Sequence, residues 1–189
     1  MKQAPVLNEQ DMKRMLKRCT SSGLGPRNRC MMMISWLSGM RVGEIAALKV
    51  ADVVGPDGQV RDSIQLLPEQ TKGKHGRTVL VNRQLKAELE AYLRSFKRPP
   101  DPQRALIASK TGKRFSANGL CKRFIELYEE AGLDQATSHS GRRTFITALA
   151  HRGVNVRVLA ELAGHRSIAV TQRYIDLNDK VLRAAVELL

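Results

Sequence analysis

Apolar residues recur at helical spacing along most of this 189-residue chain, and one stretch near position 50 departs from that pattern. The spacing predicts helices at 12–19, 26–38, 41–48, 82–96, 116–131, 138–152, 155–163, 167–175 and 178–188. Asn82 and Ser116 stand at the predicted starts of two of them. Their short polar side chains can accept a hydrogen bond from a free backbone N–H, so both are predicted N-caps.

Between positions 48 and 82 the apolar residues occur in short runs that are rich in Val, Ile and Leu. The runs cover 49–54, 60–67 and 77–82, and the turn sequences GPDG and KGKHG separate them. Such runs, bounded by turn residues, predict three short strands in an antiparallel arrangement. The sequence therefore predicts a mainly α fold with a small antiparallel β-sheet (α+β).

The chain is strongly basic, with 32 Lys and Arg against 18 Asp and Glu and a formal net charge of +14. An excess of this size favours a polyanionic partner, because binding to phosphates releases counterions. Composition alone leaves open a ribosomal or otherwise merely basic protein. A hydrophobic content of 42% excludes a disordered basic tail, and the length is sufficient for one domain with its own core.

The cysteines and the apolar runs exclude two classes of protein. Cys19, Cys30 and Cys121 lie far apart, and no Cys/His cluster has the spacing of a zinc site. No apolar run approaches the ~18–20 residues of a membrane helix, and no signal peptide precedes the first polar segment. We therefore expect free thiols, no metal, no membrane partner, and a location in the cytoplasm or, in a eukaryote, the nucleus.

Six residues form an ordered set that suits the cleavage of a phosphodiester. The set is Arg41, Lys72, His139, Arg142, His165 and Tyr174. The last four occur in the segments HSGR, GHRSI and QRYI. Together they supply a nucleophile, an acid and several donors to phosphate oxygens, and none of this chemistry needs a metal ligand.

Taken singly, each of these residues has an ordinary structural explanation. Arg41 and Glu44 lie one helical turn apart, so they could be a simple surface ion pair. An arginine at a helix N-terminus can also reach a phosphate beside free backbone N–H groups. Lys72 lies in a predicted turn, where lysines are usually solvated, and Lys74 in the same turn is an alternative candidate for the acid.

Tyr174 follows the two histidine motifs near the end of the chain, and helix packing explains most tyrosines. Tyr92 and Tyr128 fit that explanation, since each lies on an apolar helical face. A phenol ordinarily ionises near pH ~10, so a tyrosine nucleophile needs deprotonation or nearby cations. The two arginines and the second histidine of the set would supply such a field. His75 and His151 are interpreted as bystanders.

The motifs resemble those of the tyrosine recombinase (phage integrase) family, which shares its catalytic fold with type IB topoisomerases. GMRVGEIAAL at 39–48 is similar to the first-arginine motif of the family. HSGRRTF at 139–145 is similar to its His-x-x-Arg motif, and LAGHRSIAVTQRYI at 162–175 to its histidine-to-tyrosine block. The resemblance extends over nearly the whole chain, and the order and spacing of the last three motifs make it specific.

The resemblance implies a reaction that needs neither metal nor ATP. Tyr174 would attack a DNA phosphodiester to give a 3′-phosphotyrosyl enzyme and a free 5′-hydroxyl, and a 5′-hydroxyl of another strand would then attack that link. Lys72 would be the general acid to the leaving 5′-oxygen, and His139 the acid/base partner of the tyrosine.

The resemblance also implies how the site would hold its substrate. Arg41, Arg142 and His165 would stabilise the pentacoordinate state, and Glu44 would support the site without taking part in the chemistry. The implied partner is double-stranded DNA, without a cofactor or a small-molecule substrate. Basic residues beside the motifs are predicted to contact the DNA, namely Lys74, Arg77, Arg143, Arg166 and Arg173.

The chain departs from the family pattern in three places. Ser140 and Gly141 replace the Asp-Leu that the family often has between the histidine and the arginine, and Asp176 replaces a common histidine. Most relatives also have an N-terminal core-binding domain that closes round DNA. We therefore expect residues 1–189 to form a catalytic domain without a core-binding domain, either as a compact recombinase or as an excised domain or remnant.

Two alternatives to recombination remain from the sequence. One is a type IB topoisomerase-like nicking-closing activity, and the other is a non-catalytic DNA-binding or regulatory protein of the same fold. Retention of the full set of six residues argues against the second. Relatives assemble as tetramers on paired sites, so the resemblance also implies an oligomer on DNA, with the C-terminal helix (179–188) docked on a neighbouring protomer.

Overall fold

The computed structural model describes residues 3–20, 23–71, 73–174 and 186–187, which form a mostly helical fold with a two-stranded sheet. The elements in chain order are α1 (Glu9–Thr20), α2 (Gly25–Ser38), α3 (Val42–Ala47), α4 (Val50–Val53), β1 (Ser63–Leu66), a 3-10 turn (Pro68–Gln70), β2 (Arg77–Leu80), α5 (Arg83–Arg94), α6 (Ala117–Glu130), α7 (Ser140–His151), α8 (Val156–Ala163) and α9 (Ile168–Gln172).

Helix α2 lies at the centre of the fold, where it packs against α1, α5 and α7. Residues 31–34 are four consecutive apolar side chains, and all of them are buried. Because consecutive residues point to different sides of a helix, such a helix has to be enclosed on every side. Despite this apolar character, no helix among the described residues is long and apolar enough to span a membrane.

The end of α2 directs the chain toward the first-arginine motif. Gly39 has a φ of 62°, in the left-handed region that favours glycine. A Cβ at this position would lie 2.5 Å from Cδ1 of Phe145 on α7. Glycine therefore allows both the turn and the close approach of α7, and the chain then enters α3 at Arg41.

The sheet contains two antiparallel strands, in which Ser63 pairs with Leu80 and Leu66 pairs with Arg77. Ile64 and Leu66 are buried while the residue between them is exposed, so β1 has one face on the core. The predictions of strands within 60–67 and 77–82 are confirmed. The register places Arg77 at the start of β2.

The strand predicted at 49–54 is wrong, because Val50–Val53 is the short helix α4. Asp52 Oδ2 accepts a hydrogen bond from the backbone N–H of Lys49 at 2.8 Å, which favours a helical turn over an extended strand. Val50 and Val53 are both buried, as residues three apart on one helical face can be. A short apolar run does not by itself distinguish a strand from a buried helical turn.

The helices predicted on either side of this region are confirmed, with ends shifted by a few residues. The backbone N–H of Leu85 donates to Asn82 Oδ1 at 2.8 Å, and that of Gly119 donates to Ser116 Oγ at 3.0 Å. Both predicted N-caps are therefore present. The helix predicted at 178–188 falls almost entirely outside the described residues.

Candidate active site

Five of the six predicted site residues belong to the described part of the chain, and all five line two depressions that share Val170. The first depression, of about 460 Å³, is lined by Arg41 and His165. The second, of about 440 Å³, is lined by His139, Arg142 and Tyr174. A larger cavity of about 750 Å³ lies beside α4 and the end of α5, and it contains none of the motif residues.

Arg41 is held in place by its own helix and by a distant carbonyl. Its backbone N–H donates to Glu44 Oε2 at 2.8 Å, and its Nη1 donates to Glu44 Oε1 at 2.9 Å. Its Nη2 donates to the carbonyl of Gly164 at 2.9 Å. The Glu44 side chain is only 1% exposed, whereas that of Arg41 is 31% exposed. The Arg41–Glu44 interaction is therefore a largely buried ion pair that fixes the orientation of Arg41, and not a surface ion pair. Arg41 also lines the first depression.

Glu44 has a second partner, Arg77 at the start of β2. Arg77 Nη2 donates to Glu44 Oε2 at 2.8 Å, and Arg77 Nη1 donates to the carbonyl of Leu162 at 3.1 Å. Burial by itself raises the pKa of the Glu44 carboxyl, but its hydrogen bonds and charge interactions with Arg77 and Arg41 outweigh this and lower the pKa below its ordinary value. Glu44 is thus a carboxylate at neutral pH.

The inward orientation of Arg77 is a feature that the sequence reasoning missed. Its side chain is 11% exposed and bonded within the protein, although it was predicted to contact DNA; that contact stays a prediction. Arg77 and Glu44 are 33 positions apart and belong to different elements. No periodic pattern connects residues of that kind, so the sequence held no signal for the pair.

Arg142 projects from the first turn of α7 and is 4% exposed. Its Nη1 donates to the carbonyl of Gly39 at 2.6 Å, and its Nη2 donates to the carbonyl of Ala163 at 2.7 Å. Burial, followed by the charges of Arg41 and Arg77, lowers the pKa of Arg142 to about 10. The guanidinium remains charged at neutral pH, so the site holds a fixed cation whose orientation two carbonyls determine.

Ser140 and Gly141, which differ from the family pattern between the histidine and the arginine, are explained by local packing and hydrogen bonding. Gly141 faces α2, and a Cβ there would lie 2.6 Å from Cδ1 of Trp36 and would clash with Oγ of Ser35. Ser140 Oγ accepts a hydrogen bond from the backbone N–H of Thr137 at 3.0 Å. Gly141 therefore lets α7 approach α2 closely, and Ser140 holds the turn that precedes α7; together they position Arg142.

His165 lies in the turn between α8 and α9. Gly164 ends α8 with a φ of 63°, and Ser167 is the N-cap of α9. Burial, followed by the charges of the nearby arginines, lowers the pKa of His165 to about 4. The imidazole is therefore neutral at pH 7, and its Nδ1 lies 2.8 Å from Oγ1 of the fully buried Thr171.

Tyr174 is half-buried at the end of α9, between an imidazole and a guanidinium. Its ring stacks on that of His165, with centroids 5.8 Å apart and planes inclined by 22°. The guanidinium carbon of Arg143 lies 5.9 Å from the ring centroid, and Arg143 Nη1 donates to the carbonyl of Ala4 at 2.8 Å. The ring is thus placed beside the residues of both histidine motifs.

The remaining predicted residues divide into described and undescribed ones. Lys72, the predicted general acid, lies outside the described residues. Lys74 is exposed in the segment before β2 with a φ of 51°, and Arg166 and Arg173 are exposed near the depressions. His75, interpreted as a bystander, lines the first depression. Among the described residues, no group of three or more His, Cys, Asp or Glu is placed to hold a metal ion.

Thr171 is a further residue that sequence reasoning did not single out, and its replacement by valine tests its role. If Thr171 donates to Nδ1, the neutral imidazole carries its proton on Nε2, where it can donate to a ligand oxygen. Thr171→Val keeps the volume and removes that donor. Under the reaction that the sequence resemblance implies, we expect the rate of DNA cleavage to fall by about 10-fold to 100-fold, of the size seen when a metal-ligating histidine loses its orienting partner.

Thr171→Ser is the matched control, since it keeps the hydroxyl. The rates come from single-turnover assays of covalent DNA attachment, and a ¹⁵N spectrum of the imidazole nitrogens reports the tautomer directly. A cleavage rate of Thr171→Val equal to that of the wild type would contradict this role of the hydroxyl.

Comparison with known proteins identifies relatives that match nearly all of this chain. The model of the phage integrase family matches residues 5–181. Tyrosine recombinase XerC of Lactobacillus leichmannii is 29% identical over 191 residues, which cover 97% of this chain and 62% of that protein. Tyrosine recombinase XerA of Pyrococcus furiosus (strain ATCC 43587 / DSM 3638 / JCM 8422 / Vc1) is 28% identical over 183 residues, which cover 96% of this chain and 60% of that protein.

Solved structures have a similar fold. The crystal structure of XerA recombinase superposes with a TM-score of 0.76 at 27% identity, over 100% of this chain and 65% of that one. The catalytic domain of bacteriophage HP1 integrase has a similar fold, with a TM-score of 0.68 at 24% identity, over 98% of this chain and 95% of that one. The chain thus spans about 60% of the length of the curated relatives above.

Proposed function

The chain belongs to the phage integrase family, and on this basis we propose that it is the catalytic part of a site-specific DNA recombinase that cuts and rejoins double-stranded DNA. One observation carries the proposal. Arg41, Arg142 and His165 come from three separate parts of the chain and line two depressions that share Val170, and Tyr174 lines the second of them. The basic excess of the chain supports a DNA partner through phosphate contacts.

The proposed chemistry is a transesterification in two steps. The hydroxyl oxygen of Tyr174 attacks the phosphorus atom, its proton passes to His139, and the bond from phosphorus to the 5′-oxygen breaks. A 3′-phosphotyrosyl link and a free 5′-hydroxyl result. In the second step the 5′-hydroxyl of another strand attacks the link and releases the tyrosine. One phosphoester replaces another in each step, so no external energy source is required.

The surrounding charges suit the pentacoordinate transition state. Negative charge builds on the non-bridging oxygens as the phosphorus is attacked, and the guanidiniums of Arg41 and Arg142 already have fixed orientations. A neutral His165 adds a hydrogen-bond donor without adding charge repulsion. Removal of one such preorganised donor typically slows a reaction by about 10²-fold to 10³-fold.

The proton for the leaving 5′-oxygen is assigned to Lys72, and a comparison with Lys74 tests this assignment. We expect Lys72→Ala to slow cleavage by about 10²-fold to 10⁴-fold, the usual contribution of a general acid, and Lys74→Ala to slow it far less. A substrate with a 5′-thio leaving group needs no proton, so it should restore the rate of Lys72→Ala. Equal defects of the two variants, or no restoration by the thio substrate, would count against the assignment.

A covalent trap tests the proposed function itself. The protein is incubated with randomised duplexes that carry a nick near the centre, and the products are separated on a denaturing gel. The nick lets the short 5′-hydroxyl fragment diffuse away, which strands the phosphotyrosyl intermediate. We expect a protein–DNA adduct, and sequencing the trapped DNA identifies the target site.

The trap and two further assays, of DNA relaxation and of recombination, separate the proposed function from its alternatives. A folded protein that binds DNA without forming any adduct supports the non-catalytic reading of this chain. Relaxation of supercoiled DNA without pairing of two sites supports a type IB topoisomerase-like activity. Recombination between two trapped sites, with four protomers per paired complex by light scattering, supports the proposed tetramer.

A further inference from the structure

Three consecutive backbone carbonyls at the end of α8 accept hydrogen bonds from three arginines, each of which belongs to a different part of the chain. Leu162 accepts from Arg77 Nη1 at 3.1 Å. The next two carbonyls accept from Arg142 Nη2 at 2.7 Å and from Arg41 Nη2 at 2.9 Å. The final carbonyls of a helix lack partners within it and carry partial negative charge, so this turn both orients the guanidiniums and reduces their repulsion.

Arg77 differs from the other two arginines in how its donors are used. Its Nε and Nη2 donate to the two carboxylate oxygens of Glu44, at 3.4 and 2.8 Å, and its Nη1 donates to the α8 turn. All three of its nitrogens therefore donate within the protein. Arg41, by contrast, is 31% exposed beside the first depression. Arg77 joins the turn before His165 to the carboxylate that holds Arg41.

We propose that Arg77 is a positioning residue of the active site, which fixes the α8 turn and Glu44 so that Arg41 and Arg142 face one phosphate. In this proposal Arg77 acts through the other two arginines, which replaces the sequence-based prediction that it contacts DNA itself. The inference rests on the proposed function, since it assigns the aligned cations to a DNA phosphate.

Gly164 is the counterpart of Arg77 in this arrangement. Its φ of 63° lies in the left-handed region, and a Cβ there would lie 2.6 Å from Cδ of Arg77. The aliphatic part of the Arg77 side chain thus packs directly on the glycine whose carbonyl orients Arg41. A side chain at this position would displace Arg77 from the turn, so Gly164→Ala is a second, independent way to disturb the arrangement.

The test compares Arg77→Lys and Arg77→Gln with Arg83→Gln, which neutralises an exposed arginine three residues beyond β2. The probe is the nicked duplex recovered from the covalent trap. We expect both Arg77 variants to form adduct about 100-fold more slowly than the wild type, since lysine cannot supply three donors in a planar fork. DNA affinity and its salt dependence should change little, and Arg83→Gln should cleave at the wild-type rate.

A second substrate separates positioning from loss of folded protein. A methylphosphonate at the cleaved position removes the negative charge that the aligned guanidiniums stabilise. If Arg77 acts through those cations, Arg77→Lys should form adduct less than about 10-fold more slowly than the wild type on this substrate. Partial unfolding would instead reduce both rates equally.

Three results would overturn the inference. One is a wild-type cleavage rate for Arg77→Lys, and another is an equal defect on both substrates. The third is a weaker DNA affinity with a salt slope reduced by about one, which indicates a direct phosphate contact.

A measurement on the free protein keeps the inference testable if the wild type forms no adduct. The Nε–Hε signals of Arg41 and Arg142 in a ¹H–¹⁵N spectrum report the environment of each guanidinium without any reaction. We expect the Arg41 and Arg142 signals to shift in Arg77→Lys and in Gly164→Ala, but not in Arg83→Gln. Unchanged signals would overturn the positioning role, whereas an absent adduct with shifted signals would count only against the proposed recombinase activity.

Discussion

Replacing Tyr174 by phenylalanine is expected to abolish covalent attachment to DNA while DNA binding persists. The substitution removes only the hydroxyl oxygen that is proposed to attack the phosphorus. The phenyl ring can still stack on His165 and contact Arg143, so the surroundings of the site should remain in place. Loss of a nucleophile eliminates the covalent step, and the adduct should fall by at least about 10⁴-fold.

Tyr128→Phe is the matched control for this experiment. It also removes one phenolic oxygen, but Tyr128 is fully buried in the core on α6 and lines neither of the two depressions. The control should form adduct at the wild-type rate on the same nicked duplex, and filter binding should give similar affinities for all three proteins. An adduct that survives Tyr174→Phe would refute the assignment of the nucleophile.

Glu44→Gln is expected to have the largest effect on stability among the described site residues. The glutamine keeps the size of the side chain but leaves Arg41 and Arg77 without a counter-charge in a site where position 44 is 1% exposed. Removing one partner of a buried ion pair typically lowers the free energy of unfolding by about 3–5 kcal/mol. We expect a decrease near the lower end, about 3 kcal/mol, because the amide oxygen can still accept one hydrogen bond.

Urea unfolding at neutral pH measures this difference, and Glu69→Gln is the control because Glu69 is exposed. The control should unfold within about 0.5 kcal/mol of the wild type, as surface substitutions usually do. A similar free energy of unfolding for Glu44→Gln and Glu69→Gln would contradict the bracing role of Glu44.

The effect of Glu44→Gln should also depend on pH in a defined direction. The pKa of Glu44 is lowered in the folded protein, so its carboxylate contributes stability above the ordinary glutamate pKa of about 4.3. That contribution is lost as the pH falls through the lower folded pKa, because the native state must then take up the proton. The difference in the free energy of unfolding between wild type and variant should therefore be largest at neutral pH and should decrease on acidification below pH ~4.

Much of the helical architecture could be predicted because its signals are local. The N-caps at Asn82 and Ser116 depend on a hydrogen bond to a residue three positions later, which the sequence displays directly. The run at 49–54 was predicted as a strand, since its valines suit a strand as well as a buried turn. The hydrogen bond from the backbone N–H of Lys49 to Asp52 Oδ2 favours the helical turn, and the pattern of apolar residues contains no information about this interaction.

The sequence by itself determined which reactive groups the chain has and in what order, because short motifs such as HSGR and GHRSI are local. Only the tertiary structure decided how these groups face one another. Arg41 meets the carbonyl of Gly164 across 123 positions, and Arg77 meets that of Leu162 across 85 positions. Such contacts follow from how the helices pack around the buried α2, and packing depends on all the side chains at once.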